Sequence, residues 1–99
     1  MVIYKYNVGQ FIYTAINKFL AAQYQDGNLV VWAEVDLEAP KKNYYLADIG
    51  TGEEIQDDLI YIGTIQTGLI VHHIYAIELK DPRMIESIKE LFGELRIRG

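Results

Sequence analysis

The chain has 99 residues, about half of them apolar, with no cysteine and a formal net charge of −5. That length holds one domain with a single core, and that composition excludes disorder, disulfides and thiolate chemistry. The negative balance, with no lysine or arginine between Lys42 and Lys80, excludes general nucleic-acid binding led by phosphate contacts.

Met1 leads straight into VIYKY, where Lys5 interrupts the apolar run, so no signal peptide is expected. No apolar stretch approaches membrane-spanning length. The expectation is a cytoplasmic protein with no membrane partner. Val2 to Tyr6 is a short β-rich run ending at Asn7, and Gly9 allows a turn. From Val8 to Leu20 the apolar residues also fit helical spacing, yet Phe11 to Ile16 is mostly β-branched or aromatic. Two strands are favoured there over one helix, with Asn17-Lys18 as the break.

Asp26-Gly27-Asn28 is the clearest hairpin signal, lying between Ala21–Tyr24 and Leu29–Trp32. In the strand that follows, Leu29, Val31, Ala33, Val35 and Leu37 share a core face by the two-residue period. Ala39-Pro40-Lys41-Lys42 is a loop, because proline cannot continue a central ladder. Asn43 to Ile49 is a strand, and Gly50-Thr51-Gly52 is a tight turn leading into an acidic stretch through Asp58. Leu59 to Leu79 reads as two long strands doubled back at Gln66-Thr67-Gly68, with Gly63 marking a bulge or a close backbone approach.

Lys80-Asp81-Pro82-Arg83 opens a helix, with Asp81 as cap and Pro82 at the first helical position. Met84, Ile85, Ile88, Leu91, Phe92 and Leu95 form its apolar stripe. The predicted fold is mainly β with one added helix (α+β): an antiparallel sheet of six or seven strands within residues 2–79, and an amphipathic helix at 81–95. The whole chain, 1–99, is one domain.

His72 and His73 are the first candidates for chemistry. Neighbours on a strand point to opposite faces, so they cannot ligate one metal together, and nothing else in the sequence supplies a metal site. Glu34, Asp36 and Glu38 fall on one strand face about 7 Å apart, a spacing usual for a wet face and available to a hard cation. No serine elbow is present, since Ser87 is the lone serine and lies on the polar side of the helix. The eight tyrosines are ordinarily strand-packing residues, and they also suit stacking on a ligand.

The succession IYKY (Ile3–Tyr6), FLAAQYQDGNLVVWAEVD (Phe19–Asp36), IGTG (Ile49–Gly52) and YIGTIQTGLIVHHIY (Tyr61–Tyr75) resembles a family of short phage and prophage proteins with no assigned chemistry. The resemblance spans roughly residues 3–76. His73, with Ile74 and Tyr75 after it, matches the family pattern; His72 and Ala76 depart from it, where the family has an aromatic and a glutamate. What the resemblance implies is a mostly β viral accessory protein that acts by stoichiometric binding.

The function expected is non-catalytic binding in phage counter-defence or host takeover, with capture of a small nucleotide-like ligand in a homo-oligomer. Its ligand-binding candidates are Lys41, Lys42, Tyr44, Gly50, Thr51, Gly52, His73 and Tyr75, and no cofactor is expected. The candidate oligomer interface is Met84, Ile85, Ile88, Leu91 and Phe92. A second class is an acidic inhibitor presenting Asp48–Asp58 to a host protein, an interface that salt would weaken. The third is a small enzyme using His73 with Glu34, Asp36 or Glu78.

Overall fold

The computed structural model describes residues 1–52 and 59–90. Among them are seven strands, β1 (Val2–Asn7), β2 (Phe11–Thr14), β3 (Ile16–Gln25), β4 (Asn28–Val35), β5 (Lys42–Gly50), β6 (Leu59–Thr67) and β7 (Ile70–Glu78), then α1 (Pro82–Ile88). Local turn chemistry explains the hairpins. Asp26 and Gly27 both sit at positive φ, 50° and 83°, which reverses the chain in two residues and matches the twist of β3 and β4. Gly68, at φ 62°, turns β6 into β7.

The expected mainly β fold with a C-terminal helix is what forms, but the strands divide into two antiparallel sheets instead of one. Three strands run in the order β1-β4-β3, and four in the order β2-β5-β7-β6. Their faces meet in a cluster of Ile12, Val31, Tyr44, Leu46, Ile74 and Ala76. Alternation along β5 then places Tyr45, Ala47 and Ile49 on the far side of the four-stranded sheet, where Ile77 of β7 and Ile88 of α1 join them. Covered on both faces, β5 has a nearly continuous apolar run, the mark of a buried central strand.

Two strands do replace the alternative helix at 8–20, with the break at Ala15 and not at Asn17-Lys18. The Ala15 carbonyl accepts from Asp36 N at 3.0 Å as the chain passes between sheets. Asn17 and Lys18 belong to β3, at a register irregularity between Ile16 and Lys18. Leu37, expected in the core, is 61% exposed. β4 ends at Val35, and the Asp36 carboxylate accepts from Glu38 N at 3.0 Å to turn the chain away.

Gly63 meets both expectations placed on it. The β6–β7 register slips between Tyr61 and Gly63. A Cβ at Gly63 would lie 3.4 Å from Ala22 Cβ, so β6 runs in contact with β3 across the sandwich. Asp81 caps α1 as expected, accepting from Arg83 N at 2.9 Å. Leu91 to Leu95 of the predicted helix lie outside the described residues.

Candidate functional site

β5 has two polar ends, separated by eight residue steps, or roughly 26 Å of extended chain. The sequence-derived ligand residues divide between them. Lys41, Lys42 and Tyr44 stand at the start, while Gly50, Thr51, Gly52 and His73 gather at the finish. The chain by itself therefore does not bring the eight candidates into a single site.

At the first end, Lys42 Nζ lies 3.1 Å from Glu78 Oε1, and Lys80 Nζ lies 3.6 Å from Glu78 Oε2. Lys41 Nζ sits 5.6 Å above the Tyr13 ring. Both candidate lysines already have partners. The hydrogen bond from Lys42 holds the Glu78 carboxyl below its ordinary value, with burial opposing it and the charges of Lys42 and Lys80 adding to it. Burial pushes the Tyr44 phenol up, and the Glu78 charge adds to the rise. Tyr44 lines a cleft of about 240 Å³ with Asn17, Asp36, Pro40 and Lys42.

The sign of the Glu78 shift fixes a pH effect. Its folded-state value is depressed, so its contribution to stability is complete above the ordinary carboxyl value of 4.5. That contribution disappears as pH falls through the lower folded value. Glu78→Gln is expected to remove this part of the acid sensitivity while leaving the unfolding midpoint at pH 7 lowered only slightly, because a rim ion pair is weak. Thermal unfolding of both proteins from pH 7 to pH 3 measures it; parallel curves would exclude the linkage.

At the second end, strand geometry separates the histidines as expected. His72 shares the parity of Ile74 and Ala76, on the face between the sheets, and His73 shares that of Tyr75 and Ile77, on the α1 face. Among the described residues, the side chains that hold His73 are hydroxyls. Its Nε2 lies 2.9 Å from Thr51 Oγ1 and its Nδ1 lies 3.1 Å from Thr64 Oγ1. Tyr61 OH lies 2.6 Å from Thr64 Oγ1, and the Tyr61 and Tyr75 ring centroids are 5.4 Å apart in an edge-on pair. Thr51, His73 and Tyr75 are thus the sequence-derived candidates that the fold joins, and Tyr61 and Thr64 are added to them.

The carboxylates paired with His73 from sequence are engaged elsewhere. Glu34 Oε1 accepts from Asn17 Nδ2 at 2.6 Å, Asp36 closes its own turn, and Glu78 holds the lysines. Glu34, Asp36 and Glu38 form no row, because β4 has ended by Asp36. Among the described residues, no three His, Cys, Asp or Glu side chains come together to hold a metal. The carboxylate that does meet an imidazole is Asp48, whose Oδ2 lies 2.7 Å from His72 Nδ1, while Thr67 Oγ1 lies 2.9 Å from His72 Nε2. Asp48 is therefore not a free member of the expected acidic loop; Glu53, Glu54, Asp57 and Asp58 lie outside the described residues.

Strand parity does contain a signal for this trio. Asp48 follows Tyr44 and Leu46 on one face of β5, and His72 precedes Ile74 and Ala76 on one face of β7. The pairing of Gly50 with His72, which makes them neighbours, is a register that no local pattern specifies.

Of the residues expected to join protomers, Ile88 is 5% exposed and packs with Met84 on the chain's own four-stranded sheet. Ile85 is half-buried, and Leu91 and Phe92 lie outside the described residues. No helix among the described residues is long and apolar enough to cross a membrane.

Fold and site together define a two-sheet antiparallel β protein with polar clusters on both faces of one hairpin end. The chain belongs to the family described as a domain of unknown function (DUF7352), matched over residues 1–84. That span takes in all seven strands and ends inside α1. Neither a curated protein nor a solved structure matches the chain.

Proposed function

We propose that this protein captures a small nucleoside-like ligand on the α1 side of the four-stranded sheet, in the manner of the phage accessory proteins its sequence resembles. The observation that carries the reading is the unbroken run of contacts from Tyr61 OH through Thr64 and both His73 nitrogens to Thr51, beside the paired tyrosine rings. A flat heterocycle stacks on a tyrosine, and its polar edge exchanges hydrogen bonds with hydroxyl and imidazole groups that each donate or accept. Tyr61, 56% exposed, leaves a ring available for that contact.

The run contains no lysine or arginine, so the ligand is held by its ring and hydroxyl edges and not by a phosphate clamp. Lys41 and Lys42 reach a nucleotide's phosphate here only from a second copy, which links capture to a homo-oligomer. Stoichiometric capture of a nucleotide signal is then a counter-defence activity.

Thermal-shift measurement of the full chain against nucleosides, cyclic nucleotides and ADP-ribose tests the reading. At least one is expected to raise the unfolding midpoint. Tyr75→Ala and His73→Ala should each weaken that ligand about tenfold, equivalent to ~1.4 kcal/mol. Silence across the panel, or binding indifferent to both substitutions, ends the proposal.

A further inference from the structure

On the face between the sheets, the same hairpin end carries an arrangement that the ligand site does not use. Thr67, His72 and Asp48 come from three adjacent strands and are joined in series, with contacts of 2.9 Å and 2.7 Å. An ionised carboxylate only accepts hydrogen bonds. In the neutral imidazole Nδ1 therefore donates to Asp48, which leaves Nε2 to accept from the Thr67 hydroxyl. That tautomer is the one a general base requires.

The side chains of His72 and Asp48 are 17% and 26% exposed, sheltered enough to strengthen the pairing and open enough to reach. Across the ladder from Thr67 stands Ile70, and cross-strand partners share a face. Ile70 is 61% exposed and its neighbour Leu69 is 99% exposed, so an apolar shelf adjoins the hydroxyl. A network serving only to close the end of a sandwich needs neither the nucleophile-imidazole-carboxylate order nor the open apolar shelf.

We propose that Thr67 is an activated nucleophile which accepts a small apolar acyl group from an ester or thioester, with His72 as general base and Asp48 as positioning residue. The Thr67 oxygen attacks the acyl carbon while its proton passes to His72 Nε2. Asp48 steadies the imidazolium. The bond to the leaving oxygen or sulfur then breaks, and that atom takes the proton from His72, leaving an acyl-threonine ester. Water attacks the ester carbon and gives a proton to the same nitrogen; the bond to Thr67 Oγ1 then breaks, Oγ1 takes that proton back from His72, and the carboxylic acid leaves.

The full chain is treated with p-nitrophenyl acetate and p-nitrophenyl butyrate. Phenolate release is followed by absorbance and the acyl group is located by peptide mass spectrometry. One acyl group is expected on Thr67, with the butyrate ester favoured by the apolar shelf. The rate should fall about 100-fold in His72→Ala and in Asp48→Asn, the usual range for a lost general base. For Asp48→Asn the fall is expected in kcat with KM kept, which loss of packing alone would not produce. Thr67→Ser retains the reaction. Should His72→Ala fail to fold, the nearly isosteric Asp48→Asn decides the matter. Acyl groups confined to lysines, or Thr67 acylation undiminished in a folded Asp48→Asn protein, overturn the proposal.

Discussion

Leu46→Ala is expected to lower the unfolding free energy by about 3 kcal/mol, within the range for emptying a leucine site in a core. Leu46 is fully buried, at 0% exposure, in the cluster shared by both sheets. Two terms add there: the lost transfer energy of the side chain and the cavity that remains. The cavity cannot collapse readily, because β5 is paired on both sides, by β2 and β7. Its backbone is further pinned, with Gly9 N donating to the Leu46 carbonyl at 2.7 Å and Leu46 N donating to Gln10 O at 3.1 Å. Urea unfolding should show a lower midpoint with an unchanged slope, and the thermal midpoint should drop by roughly 12–24 °C for a chain of this size. A loss under ~1 kcal/mol would mean that the sheets do not meet at Leu46.

The reasons some features were legible in sequence and others were not follow from the range of the forces involved. Asp26-Gly27 and Gly68 specify reversals locally, since only a few residues tolerate positive φ; the first hairpin forms where expected, and the second turns at Gly68-Leu69, with Gln66 and Thr67 still paired in β6. Asp81-Pro82 specifies a helix start for the same local reason. The division into two sheets is not local. It depends on Ala15 acting as a corner, and nothing in the Thr14-Ala15-Ile16 dipeptides distinguishes a corner from a continuing strand. The candidate site divides along the same line. That His72 and His73 face opposite ways follows from a two-residue period, whereas the partners each finds, Asp48 and Thr67 for one and Thr51 and Thr64 for the other, follow from register across β5, β6 and β7. Register is a collective outcome of the sheet, with the slip at Tyr61/Gly63 shifting every later partner by one.

Ile88→Ala tests whether α1 is held by the sheet or stands alone. Most helical stability in a folded protein comes from packing of one face and not from propensity, so the conformation of Pro82–Ile88 is expected to lean on docking. Ile88 is its one buried residue, set among Tyr45, Ala47, Ile49 and Ile77, with Met84 half-buried beside it. Full burial of such a side chain contributes about 1.5–3 kcal/mol. Because the helix can detach, the substitution cannot cost more than the docking energy, and a loss of about 2 kcal/mol is expected, below that for Leu46. The two positions lie on opposite faces of the four-stranded sheet, so the sandwich should survive without its helix. Hydrogen exchange should then reveal lost protection for the amides of Arg83–Ile88, while those of Leu46 and Ile74 keep theirs. If all of these amides lose protection together, helix and sandwich are one cooperative unit, and α1 is part of what folds the sheet instead of a lid laid over it.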